Sequence, residues 1–272
     1  MKILISVDIE GVAGVFHPEQ TRAGNAEYER ARRLMTAEAN AVIEGALAGG
    51  ATEILVNDSH GGFRNLLPDL LHPAANAILG KPRLLGMMSG VDSGVTGVML
   101  VGYHGRSQSR GILAHTINSF AFARVWLNDQ ELGEAGIYGA LAGEFGVPVI
   151  FGSGDNVFVE ENQPLFPQAT LVTIKTADGA GSGTSLSPQS ALAILSEGAK
   201  AAIGKIATCR PFVLPPTVTC KLQTTSPALA DLFCQLPIIE RIDGVNLTFS
   251  APSVQYAVRV LNSLSAMSFM LR

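Results

Sequence analysis

The stretch KILISVDIEG, residues 2–11, opens with a short apolar run and ends in two acids and a glycine. A run of this length, rich in branched side chains and bounded by polar residues, is typical of a buried strand in a parallel sheet. Further along, similar apolar runs alternate with amphipathic segments, which indicates βαβ units. We therefore predict an α/β fold with a mostly parallel sheet and flanking helices, in a Rossmann-like three-layer arrangement.

The predicted strands of this sheet are Lys2–Val7, Thr52–Val56, Ala77–Leu79, Gly97–Val101, Val147–Phe151 and Leu171–Lys175. The predicted helices are Ala26–Ala48, Gly133–Glu144 and Ser190–Ile203. The segment Phe120–Leu127 alternates in polarity, so we predict an antiparallel or edge strand that ends at the turn residues Asn128 and Asp129. The Gly/Ser/Thr-rich segment 176–187 is expected to be a loop rather than a mobile lid.

The pattern changes around residues 205–216. Beyond them, the sequence predicts a strand at Thr217–Gln223, a helix at Pro227–Gln235, a strand at Val245–Ser250 and a helix at Ser253–Leu271. This order is typical of a small α+β unit appended to the sheet domain. We predict a catalytic α/β domain over residues 1–205 and a small α+β domain over 206–272, with strands from residues 90–130 as candidates for sharing between them.

The composition excludes several function classes. The chain has 272 residues and a formal net charge of −4, and no run of Lys or Arg exceeds two residues, which argues against nucleic acid or an anionic membrane as a partner. No apolar run approaches the roughly 20 residues of a membrane helix. The three cysteines show no CxxC spacing, so we expect free thiols in a cytoplasmic protein.

Acidic and imidazole side chains follow three of the predicted strands. Asp8 and Glu10 follow the first strand, His60 follows the second, and His104 follows the strand that ends at Val101. Because ligands of open parallel sheets bind beyond the carboxyl ends of the strands, these groups are expected to meet at one edge. His115 lies close by in the sequence.

The combination of these groups predicts a metal site. Two neighbouring carboxylates repel each other unless a cation lies between them, and histidines add neutral nitrogen ligands. A set of carboxylates and imidazoles without thiolate favours zinc, manganese or iron over calcium. With four or more ligands, a two-metal site is within reach.

Competing catalytic motifs are missing. The glycines after the first strand lack the GxGxxG spacing and the helix that a dinucleotide site requires. The sequence also contains no P-loop, no GxSxG nucleophile elbow and no HExxH helix.

These residues, taken together, resemble the bacterial zinc-dependent D-aminopeptidases of the dipeptide-transport operon type. The matching pieces are dense over about the first 150 residues: SVDIEG at 6–11, YER at 28–30, MTAEAN at 35–40, VNDSH at 56–60, LHP at 71–73, GYH at 102–104, AH at 114–115, ND at 128–129 and GE at 133–134. After residue 150 the main matching piece is LSP at 186–188, and the C-terminal unit differs most from the family pattern.

The resemblance implies a dinuclear zinc site bridged by the Asp8 carboxylate. Glu10 and His60 would complete one zinc position, and His104 and Glu134 the other. Only the resemblance suggests Glu134 as a ligand, because an acid at a helix start is also favoured by the helix dipole. His115 matches the catalytic histidine of the family, as a proton shuttle, a stabiliser of charge or a direct nucleophile. Family members form decameric rings, which implies a similar homo-oligomer.

The predicted function is hydrolysis of the N-terminal peptide bond of short peptides that begin with a D-residue such as D-alanine, through a zinc-bridged hydroxide. An amidase or a phosphoesterase on the same dinuclear site is the alternative enzyme. The sequence shows no evident Arg/Lys cluster near the motifs, which argues mildly against a phosphate substrate. The other alternative is a non-catalytic, metal-stabilised subunit that binds peptides.

Overall fold

The computed structural model describes residues 1–272, whose twelve strands form two sheets. The strands are β1 (Lys2–Val7), β2 (Glu53–Asp58), β3 (Ala75–Ile78), β4 (Gly97–Val101), β5 (Phe122–Leu127), β6 (Gln130–Glu131), β7 (Val149–Asp155), β8 (Thr170–Gly179), β9 (Ser182–Ser185), β10 (Val218–Thr224), β11 (Glu240–Arg241) and β12 (Asn246–Ala251). The helices are α1 (Ala26–Ala48), α2 (Glu134–Glu144), α3 (Asn156–Asn162), α4 (Pro188–Lys205), α5 (Pro227–Phe233) and α6 (Val254–Met267).

The larger sheet has seven strands in the order β3-β2-β1-β4-β7-β8-β9, and all neighbours except β8 and β9 are parallel. The central strands β1 and β4 are buried almost throughout, which explains their continuous apolar runs. In the register of β1, Val7 lies opposite Asp58 of β2 and Val101 of β4. The predicted α/β fold is confirmed, and the carboxyl ends of these three strands are level.

The segment 176–187 is not a loop, so this prediction is wrong. Strand β8 extends to Gly179 and β9 returns antiparallel to it, with Thr176 opposite Thr184. The hairpin is an edge of the sheet and its residues are largely exposed, so its small polar side chains carry no apolar alternation. These residues are strands because their backbones pair with each other, and their side chains give no sign of it in the sequence.

The smaller sheet is antiparallel, in the order β11-β12-β10-β5-β6. Strand β5 is antiparallel, as predicted, and its turn to β6 uses Asn128 and Asp129 with positive φ angles of 49° and 63°. Because β5 pairs with β10, residues from the middle of the chain and from its C-terminal part share this sheet. The division into domains at residue 205 stays a prediction.

Two apolar cores cover the two faces of the parallel sheet. On one face, Ile3 and Ile5 pack with α1 and α4, which approach so closely that a Cβ at Gly45 would lie 2.1 Å from the carbonyl oxygen of Ser196. On the other face, Leu4 and Leu100 share a core with α2, α6 and the antiparallel sheet. None of the helices has the length and apolarity that spanning a membrane would require.

Candidate metal centre

The level strand ends bring together polar groups from three neighbouring strands. Asp8 directly follows β1, and its backbone N–H donates to the Val101 carbonyl at 2.8 Å. His60 follows β2 across a turn in which the Ser59 N–H donates to the Val7 carbonyl at 2.8 Å. His104 follows β4 and is buried. The strand-end rule therefore describes correctly where these side chains lie.

A tight backbone turn positions Glu10. The Gly11 N–H donates to the Gly102 carbonyl at 2.7 Å, and a Cβ at Gly11 would lie 1.9 Å from the Tyr103 carbonyl oxygen. Only glycine permits this approach. The buried Lys175 ammonium donates to the carbonyl oxygens of Glu10 at 2.6 Å and Val15 at 2.7 Å, which fixes the segment from the other side of the turn.

Asp8 stands between the histidines of the two flanking strands. Its Oδ1 lies 3.3 Å from the Nδ1 of His60, and its Oδ2 lies 3.4 Å from the Nε2 of His104. Glu10 is on the His60 side, with its Oε2 at 3.0 Å from the Nδ1 of His60. The two oxygens of one carboxylate thus face two separate groups of ligand atoms.

Glu134 and His115 complete the other side of the cluster. Glu134 is the first residue of α2, yet its buried carboxylate turns inward, with Oε1 at 3.6 Å from the Nε2 of His104 and 3.5 Å from that of His115. The same oxygen accepts from the Ile117 N–H at 2.7 Å. The rings of His104 and His115 stack with centroids 4.2 Å apart. Helix-dipole stabilisation alone does not require this inward geometry.

Each histidine uses one ring nitrogen on a backbone carbonyl. The Nε2 of His60 contacts the Thr21 carbonyl at 2.8 Å, and the Nδ1 atoms of His104 and His115 contact the Gly105 and Leu113 carbonyls, both at 2.9 Å. A carbonyl only accepts, so these nitrogens carry the protons. The other nitrogen of each ring faces the carboxylates, and in a neutral ring it offers them a lone pair, the arrangement of histidines that bind metals.

Neighbouring side chains favour the charged forms of Glu10 and His104 in spite of burial. Burial alone would raise the pKa of Glu10, but the neighbouring imidazole of His60, with His115 and His104, holds this pKa far below its ordinary value. Burial alone would lower the pKa of His104, but Glu134 and Asp8 raise it to about 10. The negative charge of the buried Glu10 carboxylate is thus stabilised by positive charge that lies among these side chains.

The donor set fits a metal ion of the zinc type. The buried Oε2 of Glu10 and Nε2 of His104 have no hydrogen-bond partner, which is costly for buried polar atoms unless something else binds them. Ligand atoms of Asp8, Glu10 and His104, and those of His104, His115 and Glu134, lie within 4.8 Å of one another in two overlapping groups. Carboxylate and imidazole donors without thiolate suit zinc.

A cavity of about 500 Å³ opens beside this cluster, a volume typical of a small-molecule site. Asp8, His60, His115 and Glu134 line it together with residues that sequence reasoning did not connect with the site. Those residues include Lys81, Arg83, Tyr138, Asn262, Ser265 and Phe269. The prediction that no Arg/Lys cluster lies near the motifs is wrong, because the loop after β3 brings Lys81 and Arg83 to the cavity wall.

A parallel sheet with a buried carboxylate–imidazole cluster beside a cavity defines a metal-dependent α/β enzyme as the class. A family model described as D-aminopeptidase, of the M55 peptidases, matches residues 1–263. A D-aminopeptidase of Bacillus subtilis (strain 168) is 31% identical over 271 residues, which are 99% of this chain and 96% of that protein. The chain belongs to the M55 family of D-aminopeptidases.

The solved structures include a similar protein. The zinc-dependent D-aminopeptidase DppA from Bacillus subtilis, described as a self-compartmentalizing protease, superposes with a TM-score of 0.96 at 29% identity. The match covers 99% of this chain and 98% of the other. The similarity extends over both sheets, and so also over the C-terminal part in which the motif resemblance is thin.

Proposed function

We propose that this chain is a zinc-dependent aminopeptidase that removes an N-terminal D-residue, such as D-alanine, from short peptides. The observation that carries the proposal is Asp8, whose two oxygens face His60 and His104 at 3.3 and 3.4 Å beside a cavity of peptide size. Membership of the M55 family and the zinc dependence of the similar DppA support it.

The proposed ligand set holds two zinc ions, with manganese or iron as alternatives that the same donors suit. Asp8 would bridge them. Glu10 and His60 would complete one position, since these two side chains are 3.0 Å apart. His104 and Glu134 would complete the other, at 3.6 Å. Both positions would be fixed by the backbone contacts of the histidines.

When bound, zinc supplies a Lewis acid for the scissile carbonyl and lowers the pKa of water towards neutrality. His115 lines the cavity, and its Nδ1 contact with the Leu113 carbonyl leaves Nε2 to exchange a proton. We propose that this nitrogen delivers a proton to the leaving amine. Glu134, 3.5 Å from the same nitrogen, would orient the ring.

A phosphoesterase on the same ligands is the second candidate, because Lys81 and Arg83 line the cavity and lysine and arginine bind phosphoryl oxygens. The family of the chain favours a peptide bond instead. The deciding experiment is hydrolysis of matched D-alanyl and L-alanyl p-nitroanilides by metal-stripped protein, with and without zinc, alongside p-nitrophenyl phosphate.

Zinc-dependent cleavage confined to the D-alanyl anilide is the expected result. Cleavage of the phosphate ester alone would establish the second candidate. No turnover of these three or of D-alanyl-D-alanine, with zinc bound, would favour a non-catalytic subunit and contradict the proposal.

We also propose a cytoplasmic homo-oligomer, a decameric ring in which the cavities face an enclosed space. The similar DppA is described as self-compartmentalizing. In this chain Phe269, Met270 and Leu271 are 59%, 76% and 47% exposed, and Phe269 also borders the cavity. Such an apolar patch is typical of an interface. Light scattering should give about ten times the mass of the 28.5-kDa chain, and a monomeric mass would contradict the proposal.

A further inference from the structure

Lys81 contributes a cation to the cavity wall without a carboxylate partner. It lines the same cavity as Asp8, His60 and Glu134, and none of the ion pairs within 4.0 Å in the protein includes Lys81 or Arg83. Its single hydrogen bond goes from Nζ to the Gly61 carbonyl at 2.9 Å. An ammonium has three donors, so two remain for a ligand.

Lys81 is exposed, and the loop that carries it is bound to the turn next to the candidate metal centre. Gly61 directly follows His60, and the Gly80 N–H donates to the Phe63 carbonyl, so the loop that carries Lys81 is bound to the turn after β2. The ring of Phe63 lies under both cations, with its centroid 5.6 Å from the Nζ of Lys81 and 3.9 Å from the Cζ of Arg83. Cation–π contacts of this kind hold a positive charge in place without neutralising it.

Arg83 has a different role from Lys81. Its guanidinium donates through both terminal nitrogens to the side chain of Asn57 and to the backbone carbonyls of Ile78 and Asp58, and its Nε is buried without a hydrogen-bond partner. Partial burial, together with the charge of Arg83, lowers the pKa of Lys81 from its ordinary value. An anion at Lys81 would relieve this unfavourable field. The unpaired nitrogen of Arg83 is buried, whereas Lys81 is exposed to the cavity with two free donors, so Lys81 is the group available to an anion and Arg83 adds to the positive field.

We propose that Lys81 is an anion subsite that takes the free terminal carboxylate of a short peptide whose N-terminal residue lies at the metal centre. The inference rests on the proposed function, because the peptide bond to be cleaved would lie between the metal centre at one end of the cavity and Lys81 at the other. It makes the enzyme selective for short peptides with a free C-terminus, since a C-terminal amide or a longer chain would leave the ammonium unpaired.

The test compares D-alanyl-D-alanine with its C-terminal amide on zinc-loaded protein. We expect the free acid to have a kcat/KM at least about 10-fold above that of the amide, since a charge-assisted hydrogen bond distinguishes the two. In Lys81→Met the preference should fall to about 1, because the acid loses this bond whereas the amide changes less than about 2-fold. Lys81→Arg should keep most of the preference. Lys200→Met, an exposed lysine on α4 outside the cavity, is the matched control and should leave it intact.

Equal kcat/KM values for acid and amide in the unaltered protein would overturn the subsite, and so would an equal loss on both substrates in Lys81→Met. If the unaltered protein cleaves neither, the proposed function fails, and calorimetric binding of the same two peptides decides the subsite. A Kd for the acid that rises about 10-fold in Lys81→Met, with that of the amide unchanged, would then support it. Inorganic phosphate is the competing anion: tight binding that depends on Lys81, with no discrimination between the two peptides, would identify a phosphoryl site and contradict the carboxylate subsite.

Discussion

Two sets of buried charges act on the segment from Asp8 to Val15, in different ways. The side chains proposed as metal ligands (Asp8, Glu10, His60, His104 and Glu134), which form the ligand cluster, face one another. The backbone clamp (Glu38 and Lys175) binds the backbone of the same segment instead. Glu38 accepts from the Ala13 N–H at 2.8 Å, and Lys175 donates to the carbonyls of Glu10 and Val15.

Glu10 and Glu38 show what this difference means for a carboxylate. Both are buried, and burial raises the pKa of each. Histidines beside Glu10 reverse the effect and hold its pKa far below the ordinary value. Glu38 has only the Ala13 N–H and the charge of Lys175, so its pKa rises to about 7. Burial of an acid alone therefore does not distinguish the two residues, and the position of Glu10 among imidazoles is what makes it the candidate metal ligand.

The substitution Asp8→Ala should have the largest effect. If one carboxylate serves two metal ions, its removal should reduce bound zinc from about two per chain to near zero and abolish hydrolysis. Metal analysis after gel filtration measures this. Glu38→Ala is the matched control, since it removes another buried acid and should leave zinc stoichiometry unchanged. Two zinc equivalents retained by Asp8→Ala would disprove the bridging role.

His115→Ala comes next, because it separates chemistry from metal binding at the edge of the ligand cluster. We expect a folded protein that binds zinc normally and has a kcat about 10²–10⁴-fold lower, as for loss of a general acid. His72→Ala, which removes a histidine outside the cluster, should keep full activity. If His115→Ala turns over substrate normally, the catalytic role is wrong; if it loses zinc, the histidine is a ligand.

The ligand cluster and the backbone clamp also differ in how far the sequence predicts them. Asp8, Glu10, His60 and His104 follow predicted parallel strands, and strand ends of such a sheet are brought together by the fold itself. The structure does bring them together. Glu134 required the family resemblance, because its place at a helix start has a sufficient local explanation.

The buried position of Lys175 and the position of Lys81 at the cavity could not be predicted from the sequence. Lys175 is the last residue of the predicted strand Leu171–Lys175, which the structure extends to Gly179. A lysine in a strand usually points to solvent, and only the crossing of the segment 10–15 buries this one. Lys81 is in a loop whose path depends on tertiary contacts with Gly61 and Phe63. No periodicity or motif encodes such contacts between segments.

Lys175→Met should show the function of the clamp. The variant leaves two buried carbonyls without their charged donor, so we expect a loss of about 2–4 kcal/mol in the free energy of unfolding. Because Glu10 belongs to the same segment, zinc should also bind more weakly while the stoichiometry at saturation stays the same. Urea unfolding and zinc titration measure these two quantities, with Lys200→Met as the control. An unchanged zinc affinity would show that the clamp stabilises the fold without positioning Glu10.

Glu38→Gln gives the smallest effect, and one that depends on pH. The folded pKa of Glu38, about 7, is above its ordinary value of 4.5, so folding favours the protonated form. Its contribution to stability is fully present below pH 4.5 and is lost as the pH rises through 7. Glutamine imitates the protonated carboxyl at every pH. The variant should therefore unfold like the parent at pH 4.5 and be about 1–3 kcal/mol more stable at pH 8.5.

Urea unfolding of both proteins at the two pH values measures the difference in their free energies of unfolding. Titrating groups that both proteins share cancel in this difference. A difference that is the same at both values would mean that the charge of Lys175 already keeps Glu38 ionised, and the contrast with Glu10 would then be one of geometry rather than of protonation.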